Sequence, residues 1–353
     1  MDRLLIIAGG TGGHIFPALV VAETLQKQGV SIEWMGTEVG MERQLVGDRF
    51  PIYFLPVKAL RGKGWRTKLL APLRLLHAVF LAYRLIKKIN PDVVMGMGGY
   101  ASGPGGVAAW LLRKPLVIHE QNAKPGLTNR LLSRFATSVL QAFPNSFSNK
   151  IAAITVGNPV RESILHITRP DNYCETRQKP WRILVLGGSQ GALAINQLMV
   201  NWLSSCVDRE SFLIWHQTGK KDYESIEKSY QPYSSCVYRV APFIEKMEEA
   251  YAWADVVICR SGALTVSELA AAGLPSVLIP YPHAVDDHQY ANALFLERAG
   301  AGVIFRESDL THEKLNAFLQ NLVSSPERLH QMAIQAKTCA EPDAVSKIIA
   351  NLY

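Results

Sequence analysis

The sequence predicts an α/β protein made of two doubly wound, Rossmann-like parallel-sheet domains of similar topology. Short apolar runs alternate with helical patterns along most of the 353 residues, which is how successive βαβ units read. The first run, Leu4 to Ala8, passes through the glycine turn Gly9-Gly10-Thr11-Gly12-Gly13 into a helix. The same pattern restarts at Arg182 to Leu186, through Gly187-Gly188-Ser189-Gln190-Gly191, with a helix from Ala192. That repetition predicts two domains facing one another, and 353 residues exceed what one ordinary core holds.

The first helix is read from about Pro17 to Gln28, with Leu19, Ala22 and Leu25 on one face and Gly29 as its cap. Strand Ile32 to Met35, a helix near Met41 to Val46 and strand Ile52 to Leu55 continue the alternation. Asp92 to Met95 is a strand that ends in a second glycine loop, Gly98-Gly99-Tyr100-Ala101-Ser102-Gly103. Pro115 to Ile118 delivers His119-Glu120-Gln121-Asn122, and a helix from about Leu127 to Phe135 precedes a strand near Thr137 to Leu140. Gly157 to Arg161 reads as a hinge, which places an N-terminal domain over 1–158 and a C-terminal domain over 159–339.

In the second half, Ser211 to Trp215, Val237 to Val240, Val256 to Ile258 and Ser276 to Ile279 are strands. After Ile258 the chain breaks at Ser261-Gly262 and restarts as a helix that stops at Gly273, with Pro275 just beyond. Thr311 to Leu322 and Glu327 to Ala336 carry helical patterns. A last helix, Ala344 to Leu352, is expected to bring residues 340–353 back onto the first domain.

Hydrophobic residues at 48% and charged residues at 19% fit a soluble chain with a sizeable core. The five cysteines are scattered and lack C-x-x-C spacing, which suits a reducing compartment and indicates neither a zinc site nor a disulfide framework. Met1-Asp2 leads straight into a strand, so no signal peptide is expected. No uncharged run reaches the roughly 18 residues of a spanning helix, so a cytoplasmic protein is expected.

The charge is uneven. Ten basic residues and no acidic one lie between Arg49 and Pro91, and without them 27 Lys and Arg face 30 Asp and Glu. Basicity concentrated in one segment argues for one anionic surface partner. Within it, Leu69 to Tyr83 is apolar on more than one helical face, with Leu73, Leu76 and Phe80 in the run and Arg66, Lys68, Arg74, Arg84 and Lys87 at the rim. A solvated face is the plain reading. An amphipathic helix lying on an anionic leaflet is the favoured one. Nucleic acid fits poorly, because aromatic platforms and known nucleic-acid motifs are absent.

Ligands of parallel α/β sheets sit beyond the carboxyl ends of the strands. Three glycine loops and the helix start at Leu264 all lie at such ends. Orphan N–H groups and the positive dipole end make that helix start an anion site. Its first turn holds Leu264, Thr265 and Ser267, and Glu268 follows where a carboxylate could accept a pair of hydroxyls such as those of a ribose. Asp286, Asp287, His288 and Gln289 crowd the exit of the next strand, and a solvated loop that holds sugar hydroxyls fits them better than a metal site. A diphosphate-linked sugar would find partners along the whole stretch. Arg161 could be a salt-bridge residue or a diphosphate ligand.

Two histidines could serve as bases. His14 stands at a helix start, where the dipole favours the neutral ring that can take a proton from a hydroxyl, or else it only shapes the glycine loop. His119 beside Glu120 reads as structural. No His, Cys or Asp cluster has metal-ligand spacing.

Eight stretches in order, from residue 9 to about residue 293, carry a resemblance: GGTGGHIFPAL, LRGKGW, PDVVMGMGGYASGPGG, HEQNAKPGLTN, VGNPVR, GGSQGA, YAWADVVICRSGALTVSELAAAGLP and DDHQYANA. Together they closely resemble the undecaprenyldiphospho-muramoylpentapeptide β-N-acetylglucosaminyltransferase (MurG) family. The resemblance implies a GT-B fold, with a cleft between the domains. It implies an inverting hexosyltransferase that needs no metal or other cofactor and works on the cytoplasmic face of the inner membrane. N-acetylglucosamine would pass from UDP-N-acetylglucosamine to the C4 hydroxyl of the muramoyl sugar of lipid I, giving lipid II for peptidoglycan.

Carried over motif by motif, Thr11, Gly12, Gly13 and Asn122 would approach the donor, and Arg161 and Ser189 would hold its diphosphate. Ile244 would offer its backbone to uracil, Ala263 to Glu268 would bind diphosphate and sugar with Glu268 on the ribose, and Gln289 would read N-acetylglucosamine hydroxyls. His14 matches the favoured base. The glycine-rich loop from Gly98 to Gly106, with Tyr100, and the basic helix would face lipid I and an anionic membrane surface. Rival readings are a diacylglycerol glycosyltransferase, a UDP-N-acetylglucosamine 2-epimerase and a non-catalytic sugar-nucleotide sensor.

Overall fold

A computed structural model of the protein describes residues 1–38, 40–57, 71–168, 178–188 and 191–353. The chain divides into two compact units. Unit 1 comprises Met1–Val160 and Asp343–Tyr353, and unit 2 comprises Arg161–Pro342.

Unit 1 contains β1 (Arg3–Ile7), α1 (Gly12–Lys27), β2 (Ser31–Thr37), α2 (Glu42–Val46), β3 (Ile52–Leu55) and α3 (Ala71–Ile89). There follow β4 (Val93–Gly96), α4 (Ser102–Leu111), β5 (Leu116–Glu120), α5 (Leu127–Leu132), β6 (Ser138–Gln141) and β7 (Ala153–Thr155). Unit 2 opens with α6 (Glu162–Leu165), β8 (Trp181–Leu186), α7 (Leu193–Ser205), β9 (Phe212–Gln217), α8 (Tyr223–Tyr230), β10 (Val237–Ala241) and α9 (Met247–Trp253). It continues through β11 (Val256–Cys259), α10 (Ala263–Ala272), β12 (Ser276–Leu278), α11 (His288–Arg298), β13 (Gly302–Ile304), α12 (His312–Val323) and α13 (Pro326–Thr338). The last helix, α14 (Ala344–Ala350), belongs to unit 1.

The sheet of unit 1 runs β3-β2-β1-β4-β5-β6-β7, and that of unit 2 runs β10-β9-β8-β11-β12-β13. All pairs are parallel. Each unit therefore repeats the doubly wound order, reversing direction between its first and fourth strands, β1/β4 and β8/β11.

Both faces of a parallel sheet are covered, so its strands are apolar throughout rather than alternating. Leu4 and Ile6 of β1 pack with Ile15, Ala18 and Leu25 of α1 and with Ile348 and Leu352. Leu5 and Ile7 point the other way, onto Ala82 and Ile86 of α3 and Ala108 and Ala109 of α4. In unit 2, Ile183 and Val185 of β8 meet Ile195, Met199 and Trp202 of α7 and Leu315 and Leu319 of α12. Burial of each large side chain contributes roughly 1.5–3 kcal/mol.

Two local expectations change. The first helix begins at Gly12 rather than near Pro17, and the proline sits in its second turn. Only its own N–H is missing there, so the ladder loses one bond so near the helix start. The glycine-rich stretch expected as a loop to Gly106 is helical from Ser102. A Cβ on Gly105 would overlap Ile7, and one on Gly106 would lie 2.7 Å from Leu132, so these glycines let α4 settle close to its neighbours.

Candidate functional site

The reversal point of unit 1 carries the first two glycine turns. Gly10 (φ +94°), Gly98 (φ +90°) and Gly99 (φ +88°) occupy left-handed conformations that other residues rarely adopt. The turns also touch, since a Cβ on Gly99 would overlap the Gly9 carbonyl. Fully buried Ser102 clamps them, its one hydroxyl proton shared between Gly98 O at 2.7 Å and Ile7 O at 3.1 Å. Thr11 is the extended N-cap of α1, and its carbonyl accepts from the N–H groups of His14 and Ile15. His14 Nδ1 lies 3.2 Å from Gly9 O, and a Cβ on Gly98 would be 3.0 Å from His14 Nε2. With a carbonyl facing Nδ1, the neutral ring carries its proton there and its lone pair on Nε2, the arrangement a base requires.

The HEQN segment is held from within. Glu120, buried, accepts from the N–H and Nδ2 of Asn122 at Oε1, and from the Gly126 N–H and Asn129 Nδ2 at Oε2. Asn122 is thus oriented by Glu120. His119 is fully buried, 2.9 Å from Gly157 O, and burial lowers its pKa to about 4. It ties β5 to Gly157 as a neutral ring.

In unit 2, Gly188 (φ +83°) and Gly191 (φ +78°) follow β8, and a Cβ on Gly191 would overlap Thr218 O. Ser189 lies outside the described residues. Gln217, at the end of β9, donates from Nε2 to Gly188 O and accepts the Ile244 N–H at Oε1. The Ile244 peptide expected to meet uracil therefore already spends its donor on Gln217. His216 lies between Tyr230 Oη at 2.8 Å and Asn196 Oδ1 at 3.0 Å.

Helix α10 starts at Ala263 after extended Gly262, with no side-chain cap, and ends at left-handed Gly273. Its first intrahelical bond runs from Val266 N–H to Gly262 O, leaving the preceding N–H groups of Ala263, Leu264 and Thr265 at the positive dipole end. Ser267 Oγ turns back onto Ala263 O. Glu268 is buried; Arg161 Nη2 lies 3.4 Å from its Oε1, and Tyr251 Oη donates to its Oε2 at 2.9 Å. Burial pushes the Glu268 carboxyl up in pKa, while the Arg161 charge and the two hydrogen bonds pull it down. Arg161, half-buried, is therefore a salt-bridge partner of Glu268, with N–H groups to spare for an anion.

The stretch expected as a solvated sugar-binding loop is more ordered. Asp286 and Asp287 both have φ +54°. Asp287 pairs with both terminal nitrogens of Arg306, at 3.3 and 3.0 Å, and the guanidinium stacks 3.8 Å over Tyr290. His288 already opens α11. Gln289 Oε1 accepts the Tyr281 N–H, so its amide offers N–H donors to a ligand, and its carbonyl accepts from Ser261 Oγ. Among the described residues no group of three or more His, Cys, Asp or Glu is placed to hold a metal ion.

Helix α3 buries a narrow stripe, Ala78, Ala82, Ile86 and Ile89, and exposes Leu73, Leu75, Leu76 and Phe80. Arg74, Arg84, Lys87 and Lys88 are exposed around them, with Arg84 stacked over Phe80. Exposed Tyr100, Trp110 and Leu111 lie in and before α4, which packs on α3. Arg66 and Lys68 fall outside the described residues. Among the described residues no helix is long and apolar enough to cross a membrane.

Sequence reasoning missed Ser102, Tyr251, Gln217 and Trp110. Only Ser102 carried a signal, its place in the glycine run.

The glycosyltransferase family 28 N-terminal domain matches residues 4–141, and the family 28 C-terminal domain matches residues 182–348. The chain is 51% identical over 351 residues to the UDP-N-acetylglucosamine–N-acetylmuramyl-(pentapeptide) pyrophosphoryl-undecaprenol N-acetylglucosamine transferase of Coxiella burnetii, covering 99% of this chain and 98% of that protein. The crystal structure of Acinetobacter baumannii MurG superposes with a TM-score of 0.85 at 40% identity, covering 100% of this chain and 99% of the other. A putative UDP-N-acetylglucosamine 2-epimerase from Listeria monocytogenes superposes with a TM-score of 0.67 at 16% identity, over 99% of this chain and 95% of the other. That last likeness is one of fold alone.

Proposed function

The chain belongs to the MurG family of glycosyltransferases, and from that membership we infer that it transfers N-acetylglucosamine from UDP-N-acetylglucosamine to the C4 hydroxyl of the muramoyl sugar of lipid I, giving lipid II. The observation that carries this reading is the full-length identity to a transferase of that name. Fold alone would leave the epimerase standing, because a structure of that kind shares the architecture.

The chemistry is an inverting displacement. The acceptor oxygen bonds to the anomeric carbon as the bond to the β-phosphate breaks, and UDP leaves with the bonding electrons. Negative charge grows on the phosphate, and fixed donors stabilise it best when they are already aimed there. The orphan N–H groups of Ala263, Leu264 and Thr265 and the guanidinium of Arg161 support that role. Glu268, oriented by Tyr251, suits the ribose hydroxyls, and Gln289 suits the sugar. These donors leave no step that calls for a metal. His14 takes the acceptor proton on Nε2, and the bond between Nδ1 and Gly9 O steadies the imidazolium that results. The exposed apolar row of α3, rimmed by Arg74, Arg84, Lys87 and Lys88, supports peripheral seating on an anionic membrane, where lipid I resides.

The test is UDP release from UDP-N-acetylglucosamine with and without a lipid I analogue, in the presence of a chelator. Acceptor-dependent release is expected. Release that ignores the acceptor, or that stops on chelation, would overturn the reading.

A further inference from the structure

We propose that Glu42 is a positioning residue that fixes the first glycine turn and, through it, the tautomer of His14. Glu42 opens the short helix α2 and is fully buried. Its Oε1 accepts three hydrogen bonds, from Gly10 N–H at 3.0 Å, Thr37 N–H at 3.0 Å and Thr37 Oγ at 2.9 Å. The carboxylate thus joins the end of β2 to the turn after β1. The backbone adds a second clasp, since Met41 N–H donates to Gly10 O at 3.4 Å.

Room for this carboxylate comes from three glycines. A Cβ on Gly9 would overlap Oε1, one on Gly40 would overlap Oε2, and one on Gly36 would lie 2.9 Å from Cγ. None of the three has a positive φ, so their backbones do not demand glycine. The carboxylate occupies the volume their side chains would need. Oε2 has no partner among the described residues. A buried carboxylate is costly to keep, which is best explained by something it holds in place.

What it holds is the peptide whose other end, the Gly9 carbonyl, faces His14 Nδ1 at 3.2 Å. Gly10 stands at φ +94° and its N–H goes to Glu42. Releasing that N–H frees the Gly9–Gly10 peptide to rotate, and the Gly9 carbonyl turns away from the ring. His14 would then lose this acceptor for its Nδ1 proton and shift towards the Nε2–H form that free imidazole favours, which cannot accept a proton on Nε2. The consequence for turnover rests on His14 being the base. The consequence for the ring does not.

Two readouts separate these statements. In the full chain labelled with 15N-histidine, the His14 ring is assigned as the signal lost in His14→Ala. Wild type should show the proton on Nδ1, Glu42→Ala should shift the ring towards the other tautomer, and Glu42→Gln, which keeps an acceptor at Oε1, should retain the wild-type pattern. Turnover should fall about 10–100-fold in Glu42→Ala with little change in KM for UDP-N-acetylglucosamine, as for a misplaced catalytic group. In a His14→Ala background, adding Glu42→Ala should cost no further turnover. If Glu42→Ala does not fold, Gly40→Ala displaces the same carboxylate and is read in the same way. Unchanged His14 ring signals would overturn the proposal. Full turnover in His14→Ala would instead overturn the base role and leave the ring spectrum to decide on Glu42.

Discussion

Acid should loosen the two units through a single histidine each, and the size of the effect follows from burial. His216 in unit 2 and His119 in unit 1 are completely enclosed, and burial lowers their pKa values from 6.5 to about 3 and about 4. Asn196 Nδ2 donates to Thr218 O and Asp222, so its Oδ1 must accept from His216 Nε2–H, and Nδ1 accepts from Tyr230. The folded state thus keeps a neutral ring that the unfolded chain would protonate. With folded pKa values depressed, stability is complete above pH 6.5 and is lost as pH falls towards the folded values. Each ring then removes about 1.4 kcal/mol per pH unit, a limit of roughly 5 kcal/mol for His216 and 3 kcal/mol for His119. Those are large fractions of the roughly 5–15 kcal/mol that holds a typical domain together. Glu268 acts oppositely, since its raised pKa makes its own contribution fall as pH rises. Urea unfolding at about pH 7, 6 and 5 measures the slope, and His216→Gln, which cannot titrate, should flatten it by one histidine's share. An unchanged slope in His216→Gln would refute the buried-ring account.

Three further outcomes are expected. His14→Ala should lower turnover by roughly 100-fold or more, with binding of UDP-N-acetylglucosamine by calorimetry little changed. Arg161→Ala should weaken donor use and also destabilise unit 2, because it leaves the buried Glu268 carboxylate without its cation; a loss of roughly 3 kcal/mol in unfolding free energy is expected. Equal stability would show that the pair is incidental. Replacing Arg74 and Arg84 by Gln should weaken partition onto anionic vesicles by about 2 kcal/mol, some thirtyfold, and Phe80→Ser should weaken it further. Neutral vesicles should show little charge effect.

Apolar runs ending in glycine made β1, β8 and β11 legible, and Gly273 with Pro275 marked the end of α10, because these signals are local. What escaped depends on neighbours distant in sequence. Strands β7 and β13 are three residues each and take their identity from the strands beside them. The glycines of α4 look like a loop until Ile7 and Leu132 are placed against them. Of the site, the glycine turns, His14, Arg161 and Glu268 could be singled out by type and position. Tyr251 and Glu42 could not, since nothing around either in sequence announces a side chain aimed at a residue 17 or 32 positions away. That Gln289 and Ile244 already have partners was equally hidden, because a lone residue type does not reveal which of its atoms are spoken for.

Because Ile348 and Leu352 fill the same core as Leu4 and Leu25, the chain must return to unit 1 to finish it. The segment from Arg161 to Pro342 contains the whole of its own unit, whereas the first unit lacks its last helix until residues 343–353 are made. The half begun first is completed last. A chain cut before residue 343 would therefore keep every residue of the second unit and leave a strip of greasy surface on the first uncovered, ready for a chaperone.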